Sequence, residues 1–201
     1  MPAKGGWDAA AQSGRMTASA PSPDVHRPMH QLLLLRHAKS SWNDAKLADR
    51  DRPLTDRGRR AAAAMRQAMQ VLHLEPDLVL VSPARRTLQT LEQLEPWDET
   101  PLQEESEALY LADAAQLLGV LCDIPETVRS VLLIGHNPGM HDLAQALIAG
   151  MQPTDAARRL AAGYPTAALA EFAVAGPWQR LGTGGGRLIR FITPRELERT
   201  G

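Results

Sequence analysis

The sequence predicts an α/β fold with three layers, in which helices cover both faces of a mostly parallel central sheet. Three short apolar runs carry this prediction: residues 32–35 (LLLL), 78–81 (LVLV) and 131–134 (VLLI). Continuous apolar runs of this length are typical of strands that are buried on both faces, as in a parallel sheet. Segments between them have the apolar spacing of amphipathic helices, which supplies the two helical layers.

A serine and an asparagine near the ends of the second and third runs stand directly before prolines. Ser82 precedes Pro83, and Asn137 precedes Pro138. Side chains of this type accept hydrogen bonds from the free amides at a helix start, and proline fits the first helical position. Helices are therefore expected to begin at Ser82 and Asn137, shortly after each strand.

Basic side chains cluster at the three junctions between strand and helix. Arg36 and His37 follow the first run, Arg86 lies in the helix expected after the second, and His136 follows the third. In an open α/β sheet the carboxyl ends of neighbouring parallel strands meet, and helix N-termini there favour anions. A guanidinium can hold an oxyanion, and an imidazole can act as a base or a nucleophile. The sequence therefore predicts a phosphate pocket formed by these four side chains.

Four blocks of sequence resemble the signatures of one enzyme family. They are RHAKSSWN (residues 36–43), RPLTDRG (52–58), SPARRTLQT (82–90) and GHNPG (135–139). In this order they are similar to the blocks of the histidine phosphatase superfamily, also called the phosphoglycerate mutase-like fold, and the resemblance extends over residues 29–197. The chain has no large insertion, and with LY at 109–110 and PREL at 194–197 it most resembles the small SixA-type phosphohistidine phosphatases.

The resemblance implies a role for each residue of the pocket. His37 would attack phosphorus and carry a phosphohistidine intermediate. Arg36, Arg86 and His136, with the amides at Asn137, would hold the phosphoryl oxygens. In the family block the arginine stands four residues after the serine, which selects Arg86 rather than the arginine before it.

Two further site residues are predicted on weaker signals. Many relatives keep a glutamate as proton donor in the region of the acidic segment 97–107, and the spacing to LY selects Glu107, although an acidic run is more often a solvated surface. Asn43 either offers an amide donor to a phosphoryl oxygen or serves as a turn residue. The identity of the general acid and the role of Asn43 stay open at this point.

The first block departs from the family pattern at one position. The usual RHG is RHA here, with Ala38 in place of glycine. Alanine does not readily adopt the left-handed backbone conformations that glycine allows. The turn after His37 is therefore expected to have a negative φ.

The remaining elements follow from apolar spacing and helix signals. Thr55 is expected to cap a helix whose buried stripe includes Met65 and Met69, and an amphipathic helix is expected over residues 113–121. Residues 167–174 and 187–192 have the pattern of two strands, joined as a hairpin by the glycine-rich segment 182–186. Segment 151–164 is either a loop or a helix.

Length and composition fit a single catalytic domain over residues 31–201. The chain has 201 residues, 44% of them hydrophobic, and a formal net charge of -1, so neither nucleic acid nor a membrane is an expected partner. No apolar stretch approaches the roughly 20 residues of a membrane span, and a single cysteine suits a reducing compartment. We therefore expect a cytoplasmic protein. Residues 1–30, rich in Ala, Gly, Ser and Pro, are expected to form a disordered extension.

The favoured function is a phosphatase that acts on a phosphohistidine protein or a small phosphoester. No metal or organic cofactor is expected, because the sequence has no HExxH motif or Cys/His cluster and two guanidiniums supply positive charge. One alternative is a phosphoglycerate-mutase-like phosphotransferase, which would need further basic contacts for a second acidic group; the other is a non-catalytic phosphate-binding module. A weakly defined acid favours an activated leaving group such as imidazole. The sequence predicts neither the physiological substrate nor the oligomeric state.

Overall fold

A six-stranded sheet forms the centre of the protein in the computed structural model, which describes residues 29–199. Its strands are β1 (His30–Arg36), β2 (Leu78–Val81), β3 (Leu102–Glu105), β4 (Ser130–Gly135), β5 (Leu169–Val174) and β6 (Gly186–Ile192). Across the sheet they lie in the order β3-β2-β4-β1-β5-β6. Strands β1 to β4 pair in parallel, whereas β5 pairs antiparallel with both β1 and β6. The predicted α/β fold with a mostly parallel sheet is confirmed.

Helices cover both faces of the sheet and enclose two large cores, and a third, small cluster contains Ala38, Leu54, Ala62 and Ala167. They are α1 (Asp56–Val71), α2 (Arg85–Glu92), α3 (Ala114–Cys122), α4 (Gly139–Leu147), α5 (Asp155–Ala162) and α6 (Pro194–Leu197). Buried side chains of α3, α4 and α5 join one core, and those of α1 and α2 join the other, against which α6 also packs. The predicted three layers are thus present.

The run of leucines in β1 contributes to both cores. Leu32 and Leu34 belong to the core beneath α3, α4 and α5, whereas Leu33 and Leu35 belong to the core beneath α1 and α2. Successive side chains of a strand point to opposite faces, so a strand buried on both faces needs apolar residues at every position. This requirement explains why the run is continuous rather than alternating.

One of the three predicted helix starts agrees with the structure. Thr55 accepts a hydrogen bond from an amide in the first turn of α1 at 3.0 Å, and α1 begins at the next residue. The predicted starts at Ser82 and Asn137 are wrong, because α2 and α4 begin later and neither residue caps them. Both side chains instead form hydrogen bonds within the site described below.

The structure adds elements that the sequence analysis did not predict or left open. Strand β3 lies in the acidic segment, where all four of its residues are exposed at the edge of the sheet, so no apolar pattern marked it. Segment 151–164 contains α5, and the connection from β5 to β6 holds a 3₁₀ turn, Trp178–Arg180, in addition to the glycine-rich segment. The predicted extension lies outside the described residues except for its last two, of which His30 already belongs to β1.

Candidate active site

The carboxyl ends of three parallel strands bring the candidate site residues together. Strand β1 pairs with β4 so that Arg36 lies opposite Gly135, and His37 and His136 therefore follow at the same level of the sheet. Ser82 follows β2, which pairs with the other edge of β4. The three junctions thus meet at one edge, as expected for a ligand site of an open α/β sheet.

A cavity of about 190 Å³ opens at this edge, and we call it the catalytic cavity. It contains all four basic residues that the sequence placed in a phosphate pocket. No aspartate or glutamate is among its described lining residues, whereas cationic side chains are abundant. The lining residues are Arg36, His37, Lys39, Ser40, Trp42, Arg52, Arg86, Leu111, His136, Asn137 and Thr166.

His37 is held as a neutral imidazole with one defined tautomer. Its Nδ1 lies 2.8 Å from the carbonyl oxygen of Ala38, and because a carbonyl only accepts, Nδ1 donates and carries the proton. Burial lowers the pKa of His37 to about 4; the hydrogen bond to Ala38 opposes this shift, while the charges of Arg86 and Arg36 add to it. At neutral pH, Nε2 therefore has a free lone pair and can act as a nucleophile.

The backbone accommodates alanine at position 38, immediately after His37. Ala38 is fully buried, its amide donates to the Thr90 hydroxyl at 3.0 Å, and it is not among the described residues with positive φ. The expected turn of negative φ after His37 is therefore confirmed. The carbonyl oxygen of Ala38 also accepts from Nδ1 of His37, so the backbone turn leaves the lone pair on Nε2.

His136 lies beside His37 and is oriented by Ser82. The two imidazole ring centroids are 5.1 Å apart, and the Ser82 hydroxyl lies 2.7 Å from Nε2 of His136 in buried surroundings. Its Nδ1 is buried and has no hydrogen-bond partner within residues 29–199. Burial, with the charges of His37 and Arg86, lowers the pKa of His136 to about 3. A hydroxyl that donates to Nε2 would place the proton on Nδ1, which is the nitrogen left for a ligand.

Asp49 holds Arg86 in place from a neighbouring loop. Arg86 donates through Nη1 to the carbonyl oxygen of Asp49 at 2.6 Å and through Nη2 to its Oδ2 at 2.9 Å. The Tyr110 hydroxyl donates to the same Oδ2 at 2.9 Å, and Arg52 donates to Oδ1 at 2.7 Å. Partial burial raises the pKa of Asp49, but the hydrogen bond from Tyr110 and the charges and hydrogen bonds of the two arginines outweigh it and lower that pKa. Asp49 is thus an ionised anchor for both guanidiniums.

Arg52 forms a further rigid cationic wall of the catalytic cavity. Its Nε donates to the carbonyl oxygen of Ser41 at 2.9 Å, and its Nη2 donates to the hydroxyl of Ser40 at 2.8 Å. The guanidinium also stacks on Trp42, with its central carbon 3.1 Å from the ring centroid. Only 6% of Arg52 is exposed, so this cation is both fixed and poorly solvated.

Arg36 and Asn137 share one backbone acceptor on the opposite side of the cavity. Arg36 Nη1 and Asn137 Nδ2 donate to the carbonyl oxygen of Tyr164 at 2.7 and 3.0 Å. The Nε of Arg36 is buried and unpaired among the described residues, so this guanidinium retains donors for an anion. The bond to Tyr164 uses one of the two N–H donors on Nδ2 of Asn137, and the predicted phosphate contact of Asn137 stays a prediction.

Comparison with known proteins agrees with this geometry. A model of the histidine phosphatase superfamily (branch 1) matches residues 32–108. An uncharacterized protein of Mycobacterium leprae is 33% identical over 164 residues, which cover 80% of this chain and 100% of the relative. The chain belongs to the histidine phosphatase superfamily. An uncharacterized chloroplastic protein of Arabidopsis thaliana is 32% identical over 140 residues, covering 65% of this chain and 63% of its own length.

Within the histidine phosphatases, solved structures of the SixA type resemble this protein. The protein histidine phosphatase SixA complexed with tungstate has a TM-score of 0.68 and 26% identity, covering 83% of this chain and 99% of the other. A SixA-type structure from Agrobacterium tumefaciens has a TM-score of 0.69 and 29% identity, covering 82% and 98%. The resemblance predicted from the four sequence blocks is confirmed, and these similarities support a phosphatase activity.

Two predicted site residues do not reach the catalytic cavity of this histidine phosphatase. The Glu107 side chain is 70% exposed and forms an ion pair with Arg50 at 2.5 Å. Its carboxylate is therefore bound at the protein surface, outside the cavity. Asn43 is exposed, and its backbone amide donates to the Ser41 hydroxyl at 3.1 Å, as the amide of a turn residue does. The placement therefore gives no support to Glu107 as proton donor or to Asn43 as phosphate ligand.

Four residues at the site were not assigned a ligand or positioning role from the sequence. Arg52 opens the second sequence block, so its place in a signature was a usable signal. Ser82 belongs to the third block, but the helix-cap interpretation concealed its bond to His136. Asp49 accepts hydrogen bonds from both Arg86 and Tyr110, which are distant in sequence, and no local pattern encodes these contacts.

Metal and membrane features are absent from the part of the chain that the structure describes. No group of three or more His, Cys, Asp or Glu side chains within residues 29–199 is placed to hold a metal ion. Over the same residues, no helix has the length and apolar character to cross a membrane. Guanidinium, imidazole and ammonium groups line the catalytic cavity.

Proposed function

We propose that this histidine phosphatase hydrolyses a phosphohistidine, or a similarly activated phosphoryl compound, through a covalent intermediate on Nε2 of His37. The observation that carries the proposal is the neutral, buried imidazole of His37, whose Nδ1 is engaged by Ala38, in a cavity lined by Arg36, Arg86 and His136. A nucleophile surrounded by fixed cations matches the needs of phosphoryl transfer, in which positioning and charge stabilisation dominate.

The proposed reaction has two displacements at phosphorus. In the first, the Nε2 lone pair of His37 attacks phosphorus in line, an N–P bond forms, and the bond to the leaving group breaks with its electron pair. In the second, water attacks the phosphohistidine, loses a proton, and the N–P bond breaks to release inorganic phosphate and restore the imidazole. An imidazole suits both steps because it is a good nucleophile and a good leaving group.

Three cationic or N–H groups stabilise the charge that spreads over the equatorial oxygens. Arg36 supplies the N–H donors that are not bound to Tyr164. Arg86 supplies further N–H donors from a guanidinium that Asp49 holds in position. A Ser82 hydroxyl that donates to Nε2 of His136 would leave Nδ1–H as the donor for a phosphoryl oxygen. These donors are fixed before the substrate arrives, so little reorganisation is required in the transition state.

The absence of a free carboxylic acid favours a substrate with a good leaving group. None of the described residues lining the catalytic cavity is acidic, and Asp49 is ionised and bound to two arginines. Glu107 is exposed and paired with Arg50. An alkoxide leaving group needs a positioned acid, which typically contributes about 10²–10⁴-fold, whereas imidazole departs from phosphohistidine with little help.

A similar protein supplies independent support for an oxyanion site. The SixA structure that shares 26% identity with this chain is complexed with tungstate. Tungstate is a tetrahedral oxyanion, as inorganic phosphate is. A cavity of about 190 Å³ with fixed guanidiniums suits an anion of this size and shape.

The test compares three substrates in the presence of a chelator: a phosphohistidine peptide, acetyl phosphate and glycerol 3-phosphate. The wild-type protein is expected to hydrolyse the first two at least about 10²-fold faster than the third, because only the third requires an acid. His37→Ala is expected to lose this activity. The control is His73→Asn, which changes an exposed histidine just beyond the end of α1 and is expected to retain the activity. Undiminished hydrolysis by His37→Ala, loss of activity on chelation, or preference for glycerol 3-phosphate would contradict the proposal.

A further inference from the structure

A second and larger cavity adjoins the catalytic cavity. Its volume is about 830 Å³, compared with about 190 Å³ for the catalytic cavity. The two share four lining residues, Arg36, Lys39, Asn137 and Thr166, so they are contiguous. A phosphoryl group bound at His37 therefore lies next to this second space, which is open to the remainder of a substrate.

The second cavity is strongly basic, and we call it the basic cavity. Five of its lining side chains are arginine or lysine, and one, Glu198, is acidic. Arg159 is partly neutralised by an ion pair with Glu196 at 3.1 Å and also donates to a backbone carbonyl. The five basic side chains are Arg36, Lys39, Arg57, Arg159 and Arg195.

Three of these cations have no partner within residues 29–199. The side chains of Lys39, Arg57 and Arg195 are exposed, and no hydrogen bond or ion pair to another described residue engages them. Unpaired cations that converge on one cavity repel each other, which an anionic ligand would relieve. Two further titratable groups in the lining are engaged by backbone carbonyls: His141 donates through Nε2 to Leu160 at 2.7 Å, and the Tyr164 hydroxyl donates to Leu34 at 2.6 Å.

Arg57 stands where local electrostatics disfavour a cation. It is the second residue of α1, and the positive end of the helix dipole makes acidic residues preferable there. The start of α1 is also fixed against the loop that follows His37. Thr55 donates to the carbonyl oxygen of Lys39 through its amide at 2.9 Å and its hydroxyl at 3.1 Å. Arg57 and Lys39 are thus held on one rigid unit, a placement that suits a binding role.

We propose that the basic cavity binds the carboxylates of acidic residues that flank the phosphohistidine of a protein substrate. This inference rests on the proposed function, because the absence of a free acid favours phosphohistidine as the phosphoryl donor. The space beside the catalytic cavity then receives the neighbouring residues of the donor protein. Arg57 and Arg195 pair with carboxylates there, since a guanidinium forms strong paired hydrogen bonds with such groups.

The test uses two phosphohistidine peptides that differ only in the flanking residues, which are glutamates in one and glutamines in the other, with acetyl phosphate as a third substrate. The wild-type protein is expected to show a kcat/KM about tenfold or more higher on the glutamate peptide, the scale of one or two charge-assisted hydrogen bonds. The preference is expected to fall as salt is raised. In Arg57→Gln/Arg195→Gln the ratio of the two peptides is expected to fall to about one.

A matched control removes two exposed arginines that lie outside the basic cavity, one in α1 and one in β6. Arg60→Gln/Arg187→Gln changes an exposed residue of α1 and one of β6, and is expected to retain the wild-type ratio. Equal kcat/KM on both peptides in the wild-type protein, or a preference that survives Arg57→Gln/Arg195→Gln, would overturn the inference and leave the proposed function intact. If the wild-type protein hydrolyses none of the three substrates, both the inference and the proposed function would be overturned.

Discussion

Replacing Ser82 with alanine tests the buried hydrogen bond that orients His136. The hydroxyl lies 2.7 Å from Nε2, with Ser82 0% and His136 3% exposed, so water does not replace the lost partner. An unsatisfied buried polar atom costs about 1–3 kcal/mol, and urea unfolding should show a loss of that size. One transition-state donor contributes about 10²–10³-fold. Because Ser82→Ala leaves His136 but removes control of its tautomer, kcat on acetyl phosphate should fall by about tenfold to a hundredfold.

A second serine of the same sheet provides the matched control. Ser130 is also buried, and its hydroxyl donates to Gln31 at 2.6 Å. It lies at the opposite end of β4, about 20 Å from His136 at roughly 3.3 Å per residue. Ser130→Ala should lower the free energy of unfolding by about 1 kcal/mol and leave kcat/KM unchanged. Wild-type kcat in Ser82→Ala, or an equal loss of kcat in Ser130→Ala, would refute the reasoning.

Three further predictions address the nucleophile, the acid and the fold beneath the site. Because burial lowers the pKa of His37 to about 4, kcat/KM should stay constant from pH 8 down to about 5 and fall as the pH drops through 4, when the imidazole is protonated; a fall centred near 6.5 would contradict this. Glu107→Gln should change kcat/KM on a phosphohistidine peptide by less than about threefold, and a loss of 10²-fold or more would restore Glu107 as the acid. A Cβ at position 58 would lie 2.2 Å from the carbonyl oxygen of Lys39, so Gly58→Ala should destabilise the protein in urea by about 1–3 kcal/mol. Gly119→Ala, in open space within α3, should stabilise it by about 0.5–1 kcal/mol, and equal effects of the two changes would contradict the predicted clash.

Local patterns were sufficient to predict the strands and the core of the site. Short continuous apolar runs are typical of strands buried on both faces, and β1, β2 and β4 contain them. Parallel pairing of those strands then determined that His37 and His136 would leave the sheet at the same edge. The resemblance to the family block selected Arg86, which is buried, rather than Arg85, which is exposed.

Contacts between distant loops could not be predicted in the same way. Ser82 and Asn137 belong to residue types that cap helices, and the same hydroxyl and amide groups serve equally well in a site. The sequence has no signal that separates these uses. Asp49 and Glu107 are both acidic loop residues, yet one binds Arg86 at the site and the other binds Arg50 at the surface. Only the folded arrangement of the loops determines which arginine each carboxylate meets.

The most direct test of the central claim is to identify the phosphorylated atom of the reaction intermediate. The protein is mixed with a phosphohistidine peptide, quenched in alkali within one turnover, and examined by phosphorus NMR and peptide mass spectrometry. The account predicts a single phosphoryl group on Nε2 of His37, because Nδ1 donates to the Ala38 carbonyl. A phosphoryl group on Nδ1 or on another residue, or turnover without any phosphoenzyme, would contradict it.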